Sequence, residues 1–205
     1  MEDFIYERLW LQGSIKLELV TGGSRYHGRV WREIARQIYC ESGKDGFREL
    51  GHFKSGAPFI CDENVRISIS HTDGCLAVAT IKVPEDSDLQ KFSPETALGV
   101  DVERKDRRKA LSVRERFLTD EEQAIVPADS IEANVTAWTC KEAMLKAGMN
   151  PDIDWHRDIV IESLPTPGGT LGKGRILIDG VFRPLALRTM AYGSFIVTTA
   201  AAPGV

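Results

Sequence analysis

Acidic and basic residues of the kind that bind metal and phosphate occur together in two short segments. The first reads Leu-Gly-Val-Asp-Val-Glu and contains Asp101 and Glu103. Alternate side chains of a strand point to opposite faces, so both acids would share one face. The second contains Glu142 and Lys146, which would be neighbours on a helix because they are four residues apart. Set side by side, the two segments could hold a divalent cation such as Mg²⁺ and a phosphate, which predicts phosphoryl-type chemistry.

Each segment also has an ordinary interpretation. Asp101 and Glu103 could form the solvent-facing edge of a strand, since exposed acids are common. Glu142 and Lys146 could form a surface ion pair that contributes roughly 0.2–0.5 kcal/mol. The chemical interpretation therefore depends on the two sets lying together.

Composition restricts the class of protein. The chain has 205 residues, 42% hydrophobic and 27% charged, which suits one large or two small globular domains. No apolar run is long enough to cross a membrane and the N-terminus lacks a signal-peptide pattern, so a cytoplasmic protein is expected. The four cysteines lack zinc-ligand spacing and are not expected to pair. The net charge of −4 argues against general nucleic-acid binding.

A basic segment follows directly after Glu103. Between Arg104 and Arg116 there are seven basic and two acidic residues, a net charge of +5. A solvated helix face and a landing patch for an acidic partner both fit this run. Arg107 and Arg108 lie at its centre.

The pattern of elements suggests two α+β halves, residues 1–90 and 91–205, joined by a polar link. Strands are predicted around residues 14–19, 65–70, 75–83, 98–103, 176–178, 181–183 and 194–200. Helices are predicted over residues 25–40, 110–117, 120–125 and 134–148, with Gly148 as a stop signal and residues 149–173 as loop. Residues 71–74 and 179–180 are predicted hairpin turns. No sequence repeat proves a duplication.

These segments together resemble the 4′-phosphopantetheinyl transferases. The family carries G-[IV]-D-x-E and, some forty residues later, W-[ST]-x-K-E-[AS]-x-x-K. Here Gly-Val-Asp-Val-Glu ends at Glu103, and Trp-Thr-Cys-Lys-Glu-Ala-Met-Leu-Lys ends at Lys146, with Asp101 and Glu142 41 residues apart. Phe-Leu-Thr-Asp-Glu-Glu at residues 117–122 and Ile-Ser-His-Thr at residues 69–72 extend the resemblance.

The resemblance implies a fold and a reaction. The chain length is similar to that of the larger, surfactin-synthetase-activating type, a monomer of two similar α+β halves that form a pseudo-dimer with the active site at their interface. Such an enzyme transfers the phosphopantetheine arm of coenzyme A to a serine of an apo acyl or peptidyl carrier protein and releases 3′,5′-ADP. The reaction depends on Mg²⁺, or on Mn²⁺. The basic segment would dock the carrier.

The resemblance also assigns the reaction centre. Asp101, Glu103 and Glu142 would be metal ligands, and Glu142, directly or through water, would take the serine proton. Lys146 would pair with phosphate oxygens or the leaving group, and Lys141 could add a phosphate contact.

At the nucleotide end, His71 with Ser70 would hold the 3′-phosphate of coenzyme A. Arg25, early in the N-terminal helix, would join them. The family's adenine-side loop often reads G-K-P, whereas this chain has alanine at Ala57, so Lys54 or another base would substitute for the missing lysine.

Two other functions remain open from the sequence. One is a Mg²⁺-dependent phosphohydrolase or nuclease that uses the same three carboxylates. The other is an inactive module that binds coenzyme A or a carrier. The complete set of three acids together with Lys146 argues against a loss of activity. The alanine at Ala57 is a feature that favours such a loss.

Overall fold

The computed structural model of the protein describes most of the chain, namely residues 5–11, 14–22, 50–60, 64–150 and 152–204. These stretches contain two large antiparallel sheets, one small hairpin and a few helices. The architecture is mixed α and β, compatible with the predicted α+β class. The predicted helix of residues 25–40 lies outside the described residues.

The N-terminal stretches form a four-stranded sheet and a separate small hairpin. The strands are β1 (Ile5–Leu11), β2 (Ile15–Thr21), β3 (Leu50–His52), β4 (Pro58–Ile60), β5 (Val65–Thr72) and β6 (Cys75–Lys82). The sheet order is β1-β2-β6-β5, and β3 pairs with β4. The predicted β5–β6 hairpin is confirmed, but its turn is only Asp73-Gly74, where Gly74 has φ +84°. His71 and Thr72, predicted in the turn, belong to β5.

The C-terminal stretches form a five-stranded sheet. Its strands are β7 (Leu98–Arg104), β8 (Ile159–Ser163), β9 (Gly172–Ile178), β10 (Val181–Tyr192) and β11 (Phe195–Ala201), in the order β7-β11-β10-β9-β8. The predicted β9–β10 hairpin is confirmed, with positive φ at Asp179 and Gly180 as a two-residue turn requires. Strand β8 was not predicted, because it lies within a stretch rich in proline and glycine.

The described helices all lie between β7 and β8. They are α1 (Arg108–Ser112), a 3-10 turn (Arg114–Arg116), α2 (Asp120–Ile125) and α3 (Ile131–Gly148). One helix over residues 110–117 was predicted, and the structure corrects this to α1 followed by the 3-10 turn. The α3 helix begins at a Ser130 cap, whose side chain accepts from the Ala133 N–H. None of these described helices combines the length and the apolar character needed to cross a bilayer.

Glycine permits the close packing of α3 on β7. A Cβ atom on Gly99 would lie 1.9 Å from the Ala143 carbonyl oxygen and 2.8 Å from the Ala147 nitrogen, so helix and strand approach as closely as the backbone allows. Gly148 also serves packing, because a Cβ there would lie 2.5 Å from Ile176. The helix ends at Gly148 as predicted, and the residue that caps it in a left-handed conformation, with φ 54°, is Met149.

Strands β5 and β7 bring the two large sheets together. An apolar cluster that includes Leu17 and Ala77 of the first sheet and Val100 and Val197 of the second lies between the sheets. The Ser68 hydroxyl oxygen accepts from the Val100 N–H at 3.0 Å. Serine side chains therefore connect two strands that belong to different sheets.

Candidate active site

Strand β7 presents its two acids on one face, as the alternation predicts. Val100 and Val102 are buried in the apolar cluster between the sheets. Asp101 and Glu103 alternate with them and are only 5% and 9% exposed. The acids are therefore not a solvent-facing strand edge, which removes the ordinary interpretation of this segment.

Asp101 uses one carboxylate oxygen for hydrogen bonds and leaves the other without one. Its Oδ1 accepts from the Ser70 hydroxyl at 2.6 Å and from Lys146 Nζ at 2.8 Å. Lys146 also donates to the Val100 carbonyl at 3.0 Å, which fixes the lysine between helix and strand. Asp101 Oδ2 is buried and has no hydrogen-bond partner among the described residues. This oxygen is a candidate metal ligand, because buried polar atoms are usually satisfied.

Glu142 lies one helical turn before Lys146, and both line the same cavity. Burial raises the pKa of the Glu142 carboxyl, and the negative charge of Asp101 raises it further, while Lys146 and Arg107 oppose the shift. Both burial and the nearby Asp101 therefore disfavour the ionised form of Glu142. A proton or a metal cation would be favoured there.

Glu103 is held by neighbouring side chains. Its carboxylate forms an ion pair with Arg107 and accepts from the Thr72 hydroxyl at 3.2 Å. The Arg107 guanidinium also lies over the Trp138 ring, 5.5 Å from its centroid. Glu103 therefore lies close to Asp101 in β7, but its carboxylate bonds to Arg107 and Thr72.

A cavity of about 450 Å³ opens beside this cluster. Its walls come from residues 53 and 55–59, from strand β5 and from the last turns of α3. The lining is mostly apolar, and its charged side chains are Arg66, Glu142 and Lys146. A small-molecule site commonly combines an apolar lining with a few polar groups in this way.

Lys141 is not part of this cavity, which corrects the predicted phosphate contact. Its side chain is fully buried and forms a 2.7 Å ion pair with Glu122. It also donates to the carbonyl oxygens of Trp155 at 2.9 Å and Ile159 at 2.6 Å. Burial lowers the pKa of the Lys141 ammonium, while Glu122 opposes this shift. The ammonium has a structural role on another side of α3.

Glu122 is a residue whose role the sequence did not predict. Its carboxylate accepts from the Ile161 N–H at 2.7 Å and from the Thr119 N–H at 2.8 Å, and so connects α2 and β8 to α3. The Thr-x-x-Glu spacing of Thr119 and Glu122 is a capping-box signal that could have been read from the sequence.

The residues predicted to bind the nucleotide end of coenzyme A lie in different surroundings. Ser70 contacts Asp101, and its hydroxyl oxygen also lies 3.4 Å from the Val102 N–H, so it holds the carboxylate and joins β5 to β7. His71 follows it in β5 and is exposed. Lys54 is exposed and does not line the cavity, although Ala57 does. Arg25 lies outside the described residues.

The donor set partly fits a divalent metal ion. Asp101 and Glu142 supply carboxylate oxygens, and Asp101 Oδ2 has no hydrogen-bond partner within the described stretches. No three His, Cys, Asp or Glu side chains of these stretches are grouped as a complete metal site. The third predicted ligand, Glu103, has its carboxylate bonded to Arg107 and Thr72.

Comparison with known families gives one match. Residues 97–183 match the model of the 4′-phosphopantetheinyl transferase superfamily. The matched stretch contains Asp101, Glu103, Glu142 and Lys146, so the predicted resemblance to this superfamily is confirmed over these residues. The match indicates phosphopantetheinyl transfer in general, and a transferase. A comparison with curated proteins finds no match.

Proposed function

We propose that the protein transfers the 4′-phosphopantetheine arm of coenzyme A to a serine of an apo acyl or peptidyl carrier protein and releases 3′,5′-ADP. The observation that carries this proposal is the cavity beside Asp101, which Glu142 and Lys146 line together. The cavity is mostly apolar with cations at its wall, which suits a ligand that has an apolar arm and anionic phosphates.

Asp101 and Glu142 would hold the metal ion, with Glu103 joining them if its carboxylate leaves Arg107. Carboxylate oxygens are the donors that Mg²⁺ and Mn²⁺ prefer. When bound, such an ion neutralises diphosphate charge and stabilises the charge that develops during transfer.

The chain's own residues would perform the proton transfer and the positioning. Glu142 accepts the proton of the carrier serine as its oxygen attacks the phosphorus attached to the pantetheine arm. The bond between that phosphorus and the bridging oxygen breaks, and 3′,5′-ADP leaves with this oxygen. Lys146 contacts phosphate oxygens, and Ser70 holds Asp101 in place through its 2.6 Å hydrogen bond.

We further propose the larger type of transferase, acting as a monomer. Its halves would be residues 1–90 and 91–205, related as a pseudo-dimer, with the active site at their interface. The support is the contact between the sheets, where Ser70 of β5 bonds to Asp101 of β7. Residues from both halves line the cavity.

The proposal predicts a carrier mass shift. Purified protein is incubated with coenzyme A, Mg²⁺ and a panel of apo carriers, and intact carrier masses are recorded. We expect an increase equal to one phosphopantetheine arm on a serine, lost when the metal is removed with a chelator. Release of inorganic phosphate from simple esters, with no carrier gaining mass, would contradict the transferase and indicate a phosphohydrolase.

The basic segment is proposed as the carrier-docking surface. Arg107 pairs with Glu103 and so belongs to the site rather than to the free surface. Arg108 and Lys109 are exposed and form no ion pair with any described residue. These two residues are suited to attract an acidic helix of a carrier.

Charge reversal tests this docking surface. The double variant Arg108→Glu, Lys109→Glu should raise the KM for the carrier by about tenfold at low salt, because rim charges mainly affect the association rate. The KM for coenzyme A should stay unchanged. Lys173→Glu is a matched control, since it reverses the charge of an exposed lysine on β9. Carrier kinetics that equal those of the control would exclude this surface.

A further inference from the structure

Arg107 connects the basic segment to the candidate metal site. It follows the turn that ends β7, in which its backbone N–H donates to the Arg104 carbonyl at 3.1 Å. This turn brings the side chain back to β7, where the guanidinium pairs with the Glu103 carboxylate. The side chain of Arg107 is 33% exposed, against 11% for that of Glu103. The pair therefore joins a nearly buried carboxylate to a cation that still reaches solvent.

Both carboxylate oxygens of Glu103 have partners. Oε1 pairs with Arg107, and Oε2 accepts from the Thr72 hydroxyl at 3.2 Å. The neighbouring acid, Asp101, keeps its Oδ2 without a hydrogen bond among the described residues. A divalent cation such as Mg²⁺ binds carboxylate oxygens directly, and a carboxylate ligand can keep a hydrogen bond to a hydroxyl. Arg107, rather than Thr72, is thus the partner that a metal ion would have to replace.

The guanidinium of Arg107 has a second partner, which does not involve Glu103. It lies over the Trp138 ring, 5.5 Å from the centroid. Trp138 precedes Glu142 by four residues on α3, so the two side chains lie on one face of the helix. Burial raises the pKa of Glu142, and the positive charge of Arg107 is among the influences that oppose this shift. Arg107 thus acts on two of the three predicted metal ligands, and it can leave Glu103 while it keeps a cation–π contact with Trp138.

We propose that Arg107 competes with the divalent cation for Glu103 and so sets the affinity of the site for metal. This inference rests on the proposed function, which assigns the three carboxylates to a metal ion. Arg107 is neither a ligand nor a catalytic residue in this arrangement, because it acts only through Glu103. Two cations in contact with one carboxylate repel each other, so the metal ion binds Glu103 fully only when the guanidinium has moved away.

The test measures metal affinity in the absence of coenzyme A and carrier. Mn²⁺ is added to the wild-type protein, to Arg107→Gln and to a control, Arg108→Gln, and free Mn²⁺ is followed by electron paramagnetic resonance. Arg107→Gln should bind Mn²⁺ about fivefold more tightly than the wild type, the effect expected from the loss of one partly exposed ion pair. Arg108 is an exposed cation without an ion pair to any described residue, so its variant should stay within about twofold of the wild type. An unchanged affinity in Arg107→Gln would overturn the inference.

A double-mutant cycle shows whether Arg107 acts through Glu103. The same Mn²⁺ titration is made with Glu103→Gln and with the double variant Glu103→Gln, Arg107→Gln. If the ion pair limits metal binding, Arg107→Gln strengthens binding in the wild-type background and has little effect once Glu103 is replaced by glutamine. An equal gain in both backgrounds would show that Arg107 acts by its charge alone, and the inference would be wrong.

A further variant decides the question if Glu103→Gln does not fold. Arg107→Lys keeps the positive charge but lacks the planar fork that pairs with a carboxylate. Its affinity for Mn²⁺ should lie between those of the wild type and of Arg107→Gln. An affinity equal to that of the wild type would indicate an effect of charge alone and would overturn the inference.

The outcomes separate this inference from the proposed function. A metal-dependent mass shift of the carrier, together with an unchanged Mn²⁺ affinity in Arg107→Gln, would overturn the inference and leave the transferase intact. Tighter Mn²⁺ binding by Arg107→Gln without a mass shift of any carrier would support the competition for Glu103 and contradict the transfer. If neither the wild type nor Arg107→Gln binds Mn²⁺, the metal site of the proposed function is wrong, and the inference fails with it.

Discussion

Glu142→Gln should abolish phosphopantetheine transfer while the protein still binds coenzyme A. Glutamine has the size of glutamate but cannot take a proton and carries no charge for a metal ion. Loss of a general base alone lowers a rate by about 10²- to 10⁴-fold. The variant is measured by carrier mass shift and by calorimetry with coenzyme A, so that catalysis and binding are separated.

The same substitution should not destabilise the protein. Burial raises the pKa of Glu142 and the negative charge of Asp101 raises it further, so the ionised carboxylate is disfavoured in the folded protein. Removing that charge relieves the repulsion, so the melting temperature of Glu142→Gln should equal or exceed that of the wild type. Active sites commonly show such a trade between stability and activity.

Glu132→Gln is the matched control. Glu132 lies on the same helix but in its first turn and is exposed, about 15 Å along the helix from Glu142. We expect wild-type transfer from this variant. Full activity in Glu142→Gln would instead show that Glu142 neither accepts the proton nor holds the metal, and the proposed mechanism would be wrong.

The sequence predicted the placement of the candidate site residues well where simple periodicity applies. A strand period of two places Asp101 and Glu103 on one face, and a helix period of 3.6 places Glu142 above Lys146. Both rules act within one element, so they require no knowledge of the tertiary fold. Gly99 then allows α3 to approach β7 closely enough for Lys146 to reach Asp101.

The sequence could not predict contacts between distant elements. Ser70 bonds to Asp101 across the two sheets, 31 residues away along the chain. Arg66 similarly reaches carbonyl groups of residues 89 and 91. No local pattern specifies which strand edges meet, and so the role of these side chains depends on the tertiary structure alone.

Lys141 illustrates the limit of assigning roles by resemblance. It precedes Glu142 by one residue, and successive residues of a helix are about 100° apart around the axis. The two side chains therefore point to different surroundings, Glu142 to the cavity and Lys141 to Glu122. The motif places both residues in one segment, but only one of them lines the cavity.

Lys141→Met should be among the most destabilising single substitutions in the C-terminal sheet and its helices. It leaves the Glu122 carboxylate buried without its cation, and breaking a buried pair in this way costs about 3–5 kcal/mol. It also leaves two carbonyl groups, that of Trp155 and the buried one of Ile159, without the lysine donor. The free energy of unfolding is measured by urea denaturation.

A double variant separates the ion pair from the packing. In the double variant Lys141→Met, Glu122→Gln neither charge of this buried pair remains. The glutamine oxygen can still accept from one of the two backbone N–H groups that now donate to Glu122. Replacing both partners of a buried pair is often much less costly than removing one, so the double variant should be more stable than Lys141→Met. Equal or lower stability would show that the unpaired Glu122 carboxylate is not what destabilises Lys141→Met.

Kinetics then distinguish the structural role from a phosphate contact. At a temperature where Lys141→Met is still folded, its KM for coenzyme A should equal that of the wild type, because the ammonium bonds to Glu122 and backbone carbonyls away from the cavity. If Lys141 instead contacted a phosphate of coenzyme A, its substitution would raise this KM and leave the free energy of unfolding little changed. The combination of lower stability and unchanged KM is therefore the result that the buried position of Lys141 predicts.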